Sequence, residues 1–166
     1  MSETPAFLAQ RLKTEGAKTA KFFASLTDTQ WQANIYTEGT TWSARNVLAH
    51  FVMAEKSFIR LFANVRSGGH GVPEDFNINS YNANQQEQAE AFPPQKLLEQ
   101  FETVREKMVD WVAGLEPADL EKRGRHPFLG MTTLAEMIKM IYLHNQTHLR
   151  DVRRSIGLSQ ATTSNE

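Results

Sequence analysis

Four segments of this chain carry apolar residues at alternating spacings of three and four, a period that confines each segment to a helix burying one face. The most regular run follows Pro93-Pro94, where Leu97, Phe101, Val104, Met108, Trp111 or Val112, and Leu115 keep the spacing without a fault. Thr4-Pro5 reads as a cap followed by proline at the first helical position, and Leu8, Leu12, Phe22, Phe23 and Leu26 extend a first helix over residues 5–26. From Ser43 a second stripe runs through Val47, His50, Ala54, Phe58, Leu61 and Val65, widened by Leu48, Phe51, Val52, Ile59 and Phe62, and stops at Ser67-Gly68-Gly69. Thr133 with Glu136 predicts a capping box for a fourth helix, whose stripe is Leu134, Met137, Ile141, His144, His148, Val152 and Ile156, ended by Gly157.

The connections are unequal. Thr27 and Gln30 predict a capping box for a short turn carrying Trp31, and Glu38-Gly39-Thr40 breaks the pattern before the second helix. Residues 70–94 are polar, rich in Asn and Gln, and too long for a plain link, so they are expected to fold over one end of the bundle with a short helix near 80–89. Strand signals are nearly absent. The expectation is an all-α four-helix bundle with one long crossover between helices two and three, forming a single domain over residues 1–158 with a disordered tail at 159–166.

At 166 residues the chain is one domain by length. Its 18 basic and 19 acidic residues give a formal net charge of -1, with no basic field of the kind a phosphate backbone attracts, so no nucleic-acid partner is expected. With no cysteine, a metal here would be held by nitrogen and oxygen, and a reducing compartment is suited. No stretch reaches the roughly 18 apolar residues of a membrane span, and the N-terminus lacks a signal-peptide pattern, so a soluble cytoplasmic protein is expected.

Histidines carry the chemistry. His144 and His148 are four apart, one above the other on a helix face. That face is the apolar stripe of Met137, Ile141 and Val152, and His50 takes an apolar position between Val47 and Ala54 on helix two. Taken singly, His50 reads as a satisfied core histidine and His144 and His148 as residues lining a wet end of the bundle. Taken together, three inward imidazoles on two helices need hydrogen-bond partners or an ion to offset their desolvation, and imidazole is the commonest protein ligand for zinc, nickel, copper and iron. Three protein ligands leave one coordination position for a water or a thiolate, which is the catalytic pattern.

The segment Gly39-Thr40-Thr41-Trp42-Ser43-Ala44-Arg45-Asn46-Val47-Leu48-Ala49-His50, with His144-Asn145-Gln146-Thr147-His148, resembles the motifs of the DinB-like superfamily, G-x-x-W-[ST]-x-x-[DN]-x-x-x-H and a paired histidine on the last helix. Residues 130–134 are also similar to the family's entry into that helix. The superfamily includes thiol-dependent S-transferases, mycothiol-dependent maleylpyruvate isomerases and hydrolases. The resemblance implies that His50, His144 and His148 are a metal triad for one divalent ion, zinc or nickel first and iron or manganese as alternatives. It implies a metal-dependent enzyme acting through a small thiol or water, or else a non-catalytic metal-binding stress or interaction protein, and it implies a homodimer. The similarity of residues 76–82 to a stretch near the site mouth makes Tyr81 and Asn82 candidate substrate contacts, although Asn82 reads more readily as a cap of the short helix.

His70 and His126 stand beside Gly and Pro in predicted loops and are expected to be exposed, with His126 within reach of the mouth as a third candidate substrate contact. Glu15 lies near the inner stripe of helix one, where it could bond a ligand histidine or act as a base. Trp31, Trp42 and Trp111 read as packing residues, and Arg150, Arg153 and Arg154 as a solvated face.

Overall fold

The computed structural model describes residues 3–157. The first helix, α1, covers Pro5–Ala24, and Thr4 caps it by accepting from the Phe7 N–H at 3.1 Å. A single turn, α2, spans Asp28–Trp31 under the expected Thr27/Gln30 capping box. Two short strands, β1 at Asn34–Tyr36 and β2 at Trp42–Ser43, pair antiparallel. The second bundle helix, α3, covers Ala44–Arg66, and here Ser43 and Asn46 form a full capping box.

The crossover holds a helix, α4, at Ile78–Ala89, capped by Asn77 through the Ser80 N–H at 2.9 Å. Then come α5 at Pro94–Ala113, a 3-10 turn at Pro117–Glu121, an antiparallel pair of strands, β3 at Arg123–His126 and β4 at Gly130–Thr133, and α6 at Leu134–Ser155. The two hairpins depart from the expectation of almost no strand. With two to four residues each, they are too short for an alternating pattern to register. Thr133 caps α6 through the Glu136 N–H, but the Glu136 carboxylate pairs with Lys139 instead of completing a box. No described helix is long and apolar enough to cross a membrane. The expected tail at 159–166 lies outside the described residues.

Helix α1 packs on α5 and α6, and α3 packs on the same two, so the bundle is a ring in the order α1, α5, α3, α6 with α4 laid against α3. The buried core divides into two clusters. One gathers Phe23, Trp31, Phe51, Leu97, Phe101, Leu149 and Val152, and the other Leu8, Leu12, Phe62, Met108, Val112, Leu134 and Met137. On each bundle helix the two sets are separated by a polar step, with Glu15 on α1, Glu55 on α3, Arg105 on α5 and Asn145 on α6 all buried.

That step is a network. The Arg105 guanidinium, 5% exposed, donates to both oxygens of Glu55 at 2.6 and 3.0 Å and to the Leu12 carbonyl at 3.0 Å. The Asn145 amide, oriented by its neighbours, accepts from Arg105 at 2.9 Å and donates to the Ile141 carbonyl at 3.2 Å. Gly16 makes room for this, since a Cβ there would collide with the Arg105 side chain. A fork-shaped cation met bidentately loses little entropy per bond, and with every partner satisfied the charges tolerate burial.

Replacing Arg105 with Met should therefore strand a buried Glu55 and cost about 3–5 kcal/mol in urea unfolding, while the double change Arg105→Met with Glu55→Leu recovers most of it. A loss under about 1 kcal/mol for the single variant would show that the pair is not a structural tie.

Candidate metal centre

His50 lies two turns into α3, where the Ser43 capping box fixes the start of the helix, and His144 and His148 sit one turn apart on α6. Asn145, between them, is the residue bonded to Arg105, so the network that sets helix register also sets the level of the histidines. The three rings converge. His50 Nε2 lies 3.2 Å from His144 Nε2, and His148 Nε2 lies 2.9 Å from the same atom. One ligating nitrogen from each histidine falls within 4.8 Å of the others, and among the described residues no fourth ligating side chain joins them. Phe51 packs against all three rings, and Trp42 lies tilted over His50 with centroids 5.1 Å apart.

The tautomer of His148 follows from its neighbours. The Tyr36 hydroxyl is 2.6 Å from Asp151 Oδ2 and 2.7 Å from His148 Nδ1. A carboxylate only accepts, so the hydroxyl donates its one proton to Asp151 and accepts from His148 Nδ1–H. The lone pair of Nε2 is then presented to the cluster, an orientation imposed by a carboxylate through a phenol. Burial and the Asp151 bond push the Tyr36 hydroxyl well above its ordinary pKa, so it stays protonated and able to donate.

The imidazoles are held neutral. Burial pushes His144 down to about 3, with the neighbouring His148 adding to the shift. His50 is driven well below its usual value by burial and by the other two histidines, and His148 is lowered by burial against the opposing pull of Asp151.

These residues fit a metal. A ring nitrogen carries either one proton or one lone pair, so His144 Nε2 makes a poor hydrogen-bond partner for two other nitrogens at once. Four donors around a tetrahedral zinc at about 2.0–2.1 Å stand roughly 3.3 Å apart, close to the spacing found here. Neutral imidazoles with free Nε2 lone pairs are the protonation state that ligation requires.

A cavity of about 380 Å³ opens from His50 and His144. Its walls are largely apolar, with Ala54, Phe58, Leu61, Val72, Phe76 and Met140 among them. Ala54, Phe58 and Leu61 belong to the stripe of helix two that reads as core, and they are only half-buried because they face this space. A broader, more polar cleft reaches His148, lined also by Tyr36, Thr40, Trp42 and Gln86, and Asn82 borders both.

The expected substrate contacts, Tyr81, Asn82 and His126, all line the cavity. The Tyr81 hydroxyl is hydrogen-bonded to Ser57 Oγ. Asn82 is not the cap of its helix, a role Asn77 fills. His126 is not an exposed loop residue: it ends β3 and is 3% exposed, because the hairpin folds it against Phe58. His70 is exposed. Glu15 is buried but serves no ligand, since its carboxylate accepts from Gln146 and Lys18. Tyr36 and Asp151 carry no signal in the stripes. Only the three-residue step from His148 to Asp151 on one helix could have pointed to them.

Three histidines converging between the second and last bundle helices form a scaffold that could hold a metal. A sequence profile of the DinB superfamily matches residues 11–152, and the chain belongs to that superfamily. No curated protein matches the sequence significantly. Among solved structures, YfiT from Bacillus subtilis, described as a probable metal-dependent hydrolase with an unusual four-helix bundle topology, is 18% identical over 90% of this chain and 86% of its own, with a TM-score of 0.69. The colibactin self-resistance protein ClbS, in complex with a double-stranded DNA, is 14% identical over 96% and 98% of the two chains, with a TM-score of 0.72. An uncharacterised protein from Escherichia coli UTI89 is 15% identical over 95% and 96%, with a TM-score of 0.71.

The ClbS complex corrects one expectation. Balanced net charge does not exclude a nucleic-acid partner for this fold, because a local surface rather than the total charge meets the phosphates. The homodimer and the dedicated small-molecule partner expected earlier find no support in these likenesses, which show the fold alone.

In the metal-free chain the histidine shifts predict a pH dependence. Folded-state values of about 3 for His144 and about 4 for His126 lie below the unfolded value near 6.5, so below that pH the unfolded chain binds more protons. Stability is therefore whole above about pH 6.5 and lost as pH falls towards 4, by on the order of 2 kcal/mol or more between pH 7.5 and 5. Urea midpoints measured across that range check this, and a flat profile would contradict it.

Proposed function

We propose that His50, His144 and His148 hold one divalent metal ion, zinc or nickel first with iron or manganese as alternatives, and that the chain is an enzyme directing water or a small thiol at an electrophilic substrate. The observation that carries this is the convergence of three neutral imidazoles, with no fourth protein ligand among the described residues, at the inner end of an apolar cavity. A divalent ion held by these histidines would supply Lewis acidity, which would bring the proton of a bound water or thiol within reach of neutral pH.

The chain's own residues do the rest. Tyr36, held by Asp151, fixes the His148 tautomer and ring plane. Phe51, buried against all three rings, keeps water from its side of the histidine cluster. The cavity on the His50 and His144 side receives the apolar body of the electrophile, and the polar cleft beside His148 gives the nucleophile a separate approach. Two recesses meeting at one cluster favour transfer from a small thiol over simple hydrolysis, because a cosubstrate needs its own side.

The test pairs metal content with turnover. The untagged protein should bind one zinc or nickel per chain and, when loaded, hydrolyse p-nitrophenyl acetate or join a small thiol to monochlorobimane, with chelation abolishing the activity. Turnover that persists after chelation would overturn the assignment. His144→Ala should lose both metal and activity. Tyr36→Phe, which keeps the packing but drops the hydroxyl, should weaken zinc binding about 10–100-fold in competition with a chromophoric chelator.

A further inference from the structure

His126 is held in an unusual state. Its Nδ1 accepts from two backbone N–H groups, those of Phe128 at 3.0 Å and Leu129 at 3.1 Å, in the turn between β3 and β4. A nitrogen that accepts two N–H bonds carries no proton, so the proton of the neutral ring is on Nε2. That Nε2 is buried and has no protein partner, the one such side-chain atom among the described residues. Buried donors are almost always satisfied, so an exception calls for a partner from outside the chain. The ring cannot swing away to find a partner, because it lies stacked on Phe58 with centroids 5.3 Å apart and planes 19° from parallel.

The surroundings hold the turn in place. Gly71, in the left-handed region at φ 84°, bridges to Arg125, whose N–H donates to the His70 carbonyl at 2.8 Å and whose carbonyl accepts from the Val72 N–H at 2.9 Å. The loop carrying Val72 and Phe76 is thereby tied to the strand carrying His126, and all three line the same cavity as His50 and His144. Burial pushes the His126 pKa down to about 4, so at neutral pH the ring is an uncharged donor rather than an acid.

We infer that His126 donates a hydrogen bond from Nε2–H to a carbonyl oxygen of the substrate, which makes the cavity a site for apolar esters, thioesters, amides or ketones. This rests on the proposed nucleophilic chemistry at the histidine triad. As the nucleophile adds, its bond to the carbonyl carbon forms and the π pair moves onto the oxygen, where Nε2–H stabilises the growing charge without giving up its proton. The backbone donors on Nδ1 fix the tautomer before substrate arrives. A neutral donor supplies no countercharge for a buried carboxylate, so the apolar walls favour uncharged acceptors.

The test compares two probes of similar shape, acetophenone and isopropylbenzene, on the full chain treated with EDTA and again with zinc added. Ring-nitrogen NMR of histidine-labelled protein should show His126 protonated on Nε2, and acetophenone should shift that proton downfield. Acetophenone should bind about fivefold to tenfold more tightly than isopropylbenzene, and His126→Phe should erase the preference while leaving isopropylbenzene binding unchanged. The NMR arm uses the native chain, so it stands even where the variant fails to fold. A proton on Nδ1, no acetophenone binding, equal affinities, or a preference surviving in the variant would each overturn the inference. A failed zinc titration with the preference intact would instead sink the metal proposal and leave the His126 donor standing.

Discussion

The bidentate pair between Arg105 and Glu55 is the constraint on which the rest of this bundle depends. Apolar packing alone tolerates a helix sliding by part of a turn, because one leucine replaces another at little cost. A buried guanidinium does not, since every displaced bond leaves a charge unpaired in a low dielectric. Arg105 on α5 reaches Glu55 on α3, the Leu12 carbonyl on α1 and Asn145 on α6, so all four bundle helices meet at one level. The two hydrophobic clusters fill the space on either side of it.

The histidine centre is built onto that level. Asn145 stands between His144 and His148, and Glu55 follows His50 on the same helix, so one polar layer fixes both halves of the triad. Burying three imidazoles side by side is unfavourable unless something draws them together, and their lowered pKa values express that cost. The geometry around them is arranged for the neutral, ligating form. Tyr36, oriented by Asp151, accepts from the outer N–H of His148 and so leaves the lone pair on the inner nitrogen, while Phe51 packs against all three rings.

Much of this is legible in the sequence because helices write their buried face in a fixed period. The stripes placed four helices and turned His50, His144 and His148 inward, and the DinB-like motifs tied them to one family. What the period does not reach is polar or extended. Tyr36 sits in a three-residue strand with no pattern to read, and Asp151 looks like any solvated acid near a run of arginines. His126 has Gly124 and Pro127 for neighbours, which speak for a loop, yet the hairpin carries it into the core. Ala54, Phe58 and Leu61 have the period of core residues but line a cavity, a distinction that depends on what α4 and the β3–β4 turn leave uncovered. Net charge does not exclude a nucleic-acid partner for this fold for a related reason, since a sum over the chain says nothing of where its charges lie.

The central claim is that the three histidines form an open-sided metal centre. X-ray absorption at the metal edge of the untagged, zinc-loaded protein tests it most directly. The account predicts one ion per chain with three imidazole nitrogens at about 2.0–2.1 Å and a fourth, light donor that exchanges when a thiol is added. A shell closed by four protein ligands, or the absence of a stoichiometric ion, would contradict it.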